Sequence, residues 1–364
     1  MMTAGFTHKL LLASDVDLTL LPPERGLEGE SLLVISQLLA SESVLLAIIT
    51  GNDYRKRQVE RVVEPIPAGL RQNMIIYADG CTRKIVFGPE GRDRRDERYH
   101  RQVGFDREDK RQVIAALEEQ ITRWCRGYPD LNTPGVQVQP IEDGLRVAVG
   151  PLREDGDVPP GRRRQLSERM MSELGGACIQ VEQAPSDLIW VKVDCRDPNE
   201  DISVDDVRRR VERLVPDFKS LATPIVIDRG EQLAVKPVKP WLRPELTQTI
   251  QEMVAGPERI TEGEYSALIG GRVTIDVQRA GIDKAFAIRD LQRTVAARGE
   301  ILYLGDAFGP DGNDRPVASV AGVTCMNVGP ADVAPEGVLN LGGGPEATLI
   351  ALRGILWALT GMTE

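Results

Sequence analysis

The stretch Leu10-Leu11-Leu12-Ala13-Ser14-Asp15-Val16-Asp17-Leu18-Thr19 joins a short aliphatic run to two aspartates and a threonine. Continuous apolar residues, rather than alternating ones, suit a strand buried on both faces, as in a parallel sheet. The same grammar returns twice. Val44-Leu45-Leu46-Ala47-Ile48-Ile49 leads into Thr50-Gly51-Asn52-Asp53, and Ile301-Leu302-Tyr303-Leu304 leads into Gly305-Asp306. Three polar clusters are therefore predicted at the carboxyl ends of strands in one sheet, where open α/β sheets hold their ligands.

Working outward, residues 9–14, 44–49 and 74–78 read as strands, separated by helical patterns at 27–40 and 53–63. A hairpin turns at Asp79-Gly80 and returns through 84–87, and the charged stretch 88–101 reads as an exit linker. From 107 to 277 the grammar changes. After a helix at 108–126 come four hairpins (136–140 with 145–149, 178–182 with 188–193, 225–227 with 233–236, 265–269 with 272–277), separated by helices at 162–174, 204–214 and 244–254. This weak repeat predicts an antiparallel sheet with helices on one face. Alternation then resumes with helix 283–298, strand 301–304, helix 314–321, strand 323–327 and a helix around 346–359. The expected fold class is α/β: a discontinuous Rossmann-like core, 1–90 and 278–364, carrying an inserted α+β domain, 91–277.

Composition narrows the function. A formal net charge of −10 argues against a nucleic-acid partner, and arginine is dispersed among acids, as in Arg92-Asp93-Arg94-Arg95-Asp96-Glu97-Arg98. Five widely spaced cysteines without a C-x-x-C pair favour a reducing compartment over a disulfide framework. No apolar stretch reaches the length of a membrane span and no signal peptide is evident, so a cytoplasmic location is expected. The two histidines, His8 and His100, stand beside no motif, which disfavours histidine acid–base catalysis.

Carboxylates, a hydroxyl, an amide and one lysine at a shared sheet edge suit a magnesium-bound phosphate. In extended geometry the side chains of Asp15 and Asp17 point the same way. Both are then expected in one pocket, with Asp15, Asp17 and Asp306 as metal ligands. Asp15 is the candidate nucleophile and Asp17 the candidate proton donor and acceptor. Thr50, Gly51 and Asn52 offer a hydroxyl and backbone N–H groups to a phosphate oxygen at a strand-to-helix turn. Asn52 and Asp53 equally suit a helix N-cap. Lys284, where a helix begins, is the cation that balances the phosphate. Asn313 and Asp314 return after a Gly/Pro-rich loop to support the metal or Lys284, whereas Asp311 reads equally well as a turn residue.

This set resembles the haloacid dehalogenase (HAD) superfamily of magnesium-dependent phosphotransferases. The position of the insert, between Thr50 and Lys284, is similar to that of the superfamily's large α/β (C2-type) cap. Gly51-Asn52-Asp53-Tyr54-Arg55-Lys56, Gly270-Gly271-Arg272-Val273-Thr274-Ile275-Asp276-Val277 and the loop before Asn313-Asp314 further resemble the eukaryotic-type phosphomannomutases. The resemblance spans both core halves and the last hairpin of the insert. It implies that Asp15 is the nucleophile, Asp17 the acid and base, Thr50 and Lys284 phosphate binders and Asp306 a metal ligand. It also implies that Asp276 contacts a sugar hydroxyl and that Arg146 and Arg153 hold a distal phosphate or other polar groups. Leu18 departs from the pattern, standing where those relatives carry glycine, and the insert is longer than a phosphomannomutase needs. The implied activity is hydrolysis of a sugar phosphate or similar metabolite through an aspartyl-phosphate. A phosphomannomutase-like sugar phosphomutase is the alternative, and a non-catalytic sugar-phosphate sensor a third. An exposed edge of the cap sheet could also pair with a second copy of the chain.

Overall fold

The computed structural model describes residues 10–22, 25–41, 43–52, 54, 61–142, 144–153, 161–175, 178–182, 187–194, 203–270, 273–294, 301–310 and 312–361. In chain order these form β1 (Leu10–Ser14), α1 (Gly29–Ala40), β2 (Val44–Ile49), β3 (Met74–Ala78), β4 (Arg83–Phe87), β5 (Asp93–Arg95) and α2 (Glu97–Val103). Next come α3 (Arg107–Gly127), β6 (Gly135–Ile141), β7 (Gly144–Gly150), α4 (Arg162–Leu174), β8 (Cys178–Glu182) and β9 (Ile189–Asp194). They are followed by α5 (Val204–Glu212), α6 (Lys219–Ala222), β10 (Ile225–Asp228), β11 (Leu233–Lys236), α7 (Arg243–Ala255), β12 (Tyr265–Gly270) and β13 (Thr274–Arg279). The chain continues with α8 (Lys284–Thr294), β14 (Ile301–Gly305), β15 (Val323–Asn327), β16 (Leu339–Asn340) and α9 (Gly344–Thr360).

Two compact units result. Unit 1 comprises Met1–Phe105, Gly230–Gln232 and Gln278–Glu364; unit 2 comprises Asp106–Arg229 and Leu233–Val277. Residues 91–105, assigned to the insert from the sequence, fall in unit 1. The charges that suggested a linker lie on the exposed strand β5, which pairs antiparallel with β4, and around α2, whose Tyr99 and Val103 are buried. Asp96 accepts the Arg98 and Tyr99 N–H groups at 3.1 Å and so starts that helix.

Unit 1 is built on an eight-stranded sheet in the order β16-β15-β14-β1-β2-β3-β4-β5, parallel from β16 to β3. The continuous apolar runs explain it. Leu12, Leu46, Ile48 and Ile76 point to one face, against Ile35 and Leu38 of α1 and Leu352 of α9. Their neighbours Leu11, Leu45, Ile49 and Ile75 point to the other, against Ala285, Ile288 and Leu291 of α8. With period-2 alternation and both faces covered, every position of these strands must be apolar. Each such aliphatic side chain stabilises the fold by roughly 1.5–3 kcal/mol. β1 lies between β2 and β14, its neighbours arriving from the two halves of the chain. The order reverses there, and such a switch point is where open α/β sheets hold their ligands.

Unit 2 corrects the single expected sheet to two, each of four strands: β6-β7-β9-β8 and β10-β11-β13-β12. Each is a hairpin, an intervening helix and a second hairpin, joined through the inner strands β7 with β9 and β11 with β13. The repeat seen in the sequence thus closes on itself after two hairpins. Val147, Val149, Val191 and Val193 of the first sheet pack on Leu166 and Met170 of α4 and on Val207 and Val211 of α5.

The helix expected at 314–321 is a tight 3₁₀ turn, Arg315–Ser319, with Pro316 in its first turn. Most of the expected helix 53–63, together with Asp53, Gly271, Arg272 and Asp311, lies outside the described residues. No helix among the described residues is long and apolar enough to cross a membrane.

Candidate active site

Three loops leave the carboxyl ends of β1, β2 and β14 side by side, and α8 adds a lysine. Asp15 begins the first loop, its N–H donating to the Leu304 carbonyl of β14 at 3.0 Å. Lys284 is set by its helix start. Asp283 accepts the Phe286 N–H at 2.7 Å through its side chain and the Ala287 N–H at 3.1 Å through its carbonyl. The first helical residue is therefore Lys284, and it is buried. Its ammonium lies 3.1 Å from Asp15 Oδ1 and 2.6 Å from Asp314 Oδ1.

Asp314 is fully buried and more tightly held than any other acid of the site. Besides Lys284 it accepts the Tyr303 hydroxyl on Oδ1 and the Ala307 N–H at 2.8 Å on Oδ2. Its own N–H returns to the Ala307 carbonyl at 3.1 Å. Gly305 makes room for it: a Cβ there would stand 2.5 Å from the Asp314 carboxylate. Gly312 serves the same loop, since its Cβ would meet the Ala307 carbonyl at 1.9 Å. Asp306 is partly buried and accepts the Thr19 hydroxyl at 2.9 Å. Asn313, its side chain exposed, takes no part in these contacts among the described residues.

Asp15, Asp306 and Asp314 each place one carboxylate oxygen within 4.8 Å of the others. Three acids face one ammonium. The imbalance is written in the titration of the site. Burial pushes the Asp15 carboxyl up to about 7; Lys284 works against this, while Asp314 and Asp306 add to it. Burial also raises Asp306, with the Thr19 hydroxyl bond opposing. Burial alone would lower Lys284, but Asp15 and Asp314 outweigh it and hold the ammonium above its ordinary range. A hard divalent cation with oxygen ligands fits this donor set, because its charge would favour the ionised form of Asp15 that burial opposes.

Asp17 has partners of its own. Its carboxylate is outside the three-acid group and Asp314 is inside it. β1 ends at Ser14, Asp17 forms an isolated bridge with Leu21, and Leu18 turns with φ 63°. Asp17 instead accepts the Asn52 side-chain amide on Oδ2 and the Arg61 guanidinium, at 2.9 Å, on Oδ1. Asn52 is thereby a partner of Asp17. Its N–H donates to the Thr50 hydroxyl oxygen at 3.1 Å and its carbonyl accepts from Asp79 at 2.9 Å. Thr50 is buried at the end of β2 and Gly51 is exposed beside it.

The other candidates belong to unit 2. Arg146, on β7, stacks its guanidinium 4.9 Å from the Trp190 ring centre. Arg153 follows β7, and its N–H donates to the Leu221 carbonyl at 2.6 Å. Asp276, on β13, is buried, with Oδ1 lacking a hydrogen bond and Arg229 3.7 Å away. Burial pushes its carboxyl up to about 6 against the opposing charges of Arg229 and Lys236.

Thr19, quoted with its motif but given no role, proves to hold Asp306; Tyr303 and Arg61 were missed. Tyr303 sits in an apolar run and reads as core, and no spacing marks its hydroxyl. Arg61 is one of several basic residues after Thr50, and nothing local distinguishes it from Arg55, Lys56 or Arg57.

No protein-family model matches the chain, and no curated protein matches it. Solved structures do. SMU.1108c from Streptococcus mutans UA159 aligns over 96% of this chain and 99% of its own, with 16% identity and a TM-score of 0.51. BT1666 from Bacteroides thetaiotaomicron, described among phosphatases of the HAD superfamily, aligns over 97% of both chains, with 15% identity and a TM-score of 0.47. Trehalose-6-phosphate phosphatase from Aspergillus fumigatus aligns over 96% of this chain and 93% of its own, with 12% identity and a TM-score of 0.44. At such identities the likeness to SMU.1108c establishes a shared fold: a parallel-sheet core interrupted by an inserted, sheet-bearing domain.

Proposed function

We propose that the chain is a phosphomonoester hydrolase of the HAD superfamily, dependent on magnesium and acting on a sugar phosphate or a similar small phosphorylated metabolite. The observation that carries this reading is the meeting of Asp15, Asp306 and Asp314, from opposite ends of the chain, around the Lys284 ammonium. The motif resemblance supports the same conclusion.

Asp15, Asp306 and Asp314 are the residues that would hold a magnesium ion, which would supply positive charge to offset the phosphate and favour the ionised form of Asp15. Lys284 orients the phosphate and the attacking carboxylate together. The Asp15 oxygen bonds to phosphorus as the bond to the leaving oxygen breaks, and Asp17 gives that oxygen its proton. Water then attacks the phosphorus of the aspartyl-phosphate, Asp17 takes a proton from it, and inorganic phosphate departs with Asp15 restored. Thr50 accepts the Asn52 N–H, which leaves its own proton to donate to a phosphate oxygen, and Gly51 offers a backbone N–H nearby. Arg146, Arg153 and Asp276 are assigned to substrate contacts on the resemblance alone.

The test is phosphate release from a panel of sugar phosphates in magnesium and in EDTA, for the wild type and for Asp15→Asn. Release confined to the wild type with magnesium is expected. A protein inert toward the whole panel, or an Asp15→Asn variant as fast as the wild type, refutes the reading. Interconversion of 1- and 6-phosphates without net release identifies a mutase instead.

A further inference from the structure

Arg61 stands outside the acid cluster, yet the whole segment after Asp17 is organised on it. Its Nη1 donates to Asp17 Oδ1 at 2.9 Å, its Nε to the Arg25 carbonyl at 2.7 Å and its Nη2 to the Pro22 carbonyl at 3.2 Å. The Arg61 carbonyl in turn accepts the Leu27 N–H at 2.7 Å. The Arg61 side chain is 11% exposed and its bond to Asp17 is partly buried, while the bonds to the Arg25 and Pro22 carbonyls lie at the surface. One planar fork thus joins the carboxylate of Asp17 to two carbonyls of the loop that follows it. Asn52 takes the remaining oxygen of the same carboxylate. Both donors come from the segment after β2.

Asp17 has need of such a clamp. It sits past the end of β1, next to Leu18 in a left-handed conformation, its backbone held only by an isolated bridge to Leu21. Left alone, its carboxylate would sample several rotamers, and proton transfer requires one fixed line to the leaving oxygen. A lysine could supply the charge at Arg61 but not three diverging donors in a plane.

Building on the hydrolase reading above, we propose that Arg61 is a positioning residue for proton transfer: it ties Asp17 to the Pro22 and Arg25 carbonyls and locks it in the orientation that delivers the proton to the leaving oxygen. Arg61 touches neither phosphate nor metal in this role. Its effect therefore scales with how much the leaving oxygen needs a proton. An alkoxide departing from an alkyl phosphate must be protonated as the P–O bond breaks, whereas p-nitrophenolate leaves unaided.

The experiment compares full-length wild type, Arg61→Ala and Arg61→Gln in magnesium, on p-nitrophenyl phosphate and on the best sugar phosphate of the panel. Circular dichroism confirms folding, and Arg61→Gln stands in if the alanine variant does not fold. We expect kcat to fall about a hundredfold on the sugar phosphate and less than about tenfold on p-nitrophenyl phosphate, with KM nearly unchanged. Added guanidinium should restore part of the first loss. Equal losses on the two substrates, or no loss on the sugar phosphate, overturn the positioning role while leaving the hydrolase reading intact. A wild type that releases phosphate from neither substrate, or does so equally well as Asp15→Asn, removes the hydrolase reading and this proposal with it.

Discussion

Leu18 adopts φ 63°, a left-handed conformation that costs a side-chain-bearing residue about 1–2 kcal/mol and glycine almost nothing. Its side chain is 52% exposed, so little packing offsets the strain. Leu18→Gly should therefore raise stability by about 0.5–1 kcal/mol in urea unfolding, despite the extra chain entropy that glycine gives the unfolded state. A loss of stability would show that the leucine makes a contact worth more than the strain. Asp15 carries the opposite tension, between stability and function. Its carboxyl titrates near 3.8 when unfolded and is pushed up to about 7 by burial in the folded chain, against Lys284. Between those values the folded state keeps a proton that the unfolded state releases, so stability falls as pH climbs from about 4 to 7 and stays reduced above. In EDTA, Asp15→Asn should be more stable than the wild type at pH 8, by on the order of 2–4 kcal/mol, with the gap closing toward pH 4. Turnover should be lost throughout. Thermal melts of the two proteins across that range decide it, and an Asn variant that melts lower at pH 8 would contradict the cost assigned to the buried carboxylate.

At the scale of elements, the clearest device is the edge of the second sheet in unit 2. β12 is an edge strand with Leu268 and Ile269 exposed, a combination that invites pairing with another chain. α7 answers it with side chains. Gln251 accepts the Ala267 N–H at 2.7 Å, and Arg243 donates to the Gly270 carbonyl at 3.0 Å. The edge groups that a second copy would need are taken at those two positions. Gln251→Ala leaves the Ala267 N–H without that bond, which should cost about 1–2 kcal/mol and make the protein self-associate at lower concentration. Urea unfolding and sedimentation velocity report the two effects. An unchanged sedimentation profile would mean that α7 is not what keeps this edge single.

On the scale of the whole molecule, the two units have separate cores, and the acid cluster belongs to unit 1 alone. Trp124, Trp190 and Trp241 lie in unit 2, while Trp357 on α9 reports on unit 1. In a chain whose other three tryptophans are phenylalanine, magnesium should shift the unfolding transition seen by Trp357 upward. A concentration one hundred times Kd adds about 2.7 kcal/mol if only the folded state binds. Asp306→Asn should abolish the shift. A Trp357 transition indifferent to magnesium in that single-tryptophan chain would mean that the three carboxylates do not hold the ion.

The amino-acid sequence by itself determined the buried strands, because a strand covered on both faces must be apolar at every position, and 10–13, 44–49 and 301–304 can be little else. It also placed Asp15, Thr50 and Asp306 at strand ends, and Lys284 at a helix start, since those boundaries follow from local chemistry. The direction of each side chain past a boundary did not follow. The Asp17 carboxylate is taken by Asn52 and Arg61, beside the left-handed turn at Leu18, and no residue type announces that. Tyr303 joins the site, and Arg61 reaches Asp17, through contacts that exist only once β1 has settled between β2 and β14. Partners 30, 44 and 287 positions apart are brought together by strand order, which is decided by the packing of the entire sheet. The division of unit 2 into two sheets has the same origin: each hairpin is legible alone, but which hairpins share a ladder depends on how their inner strands bury valine against α4 and α5.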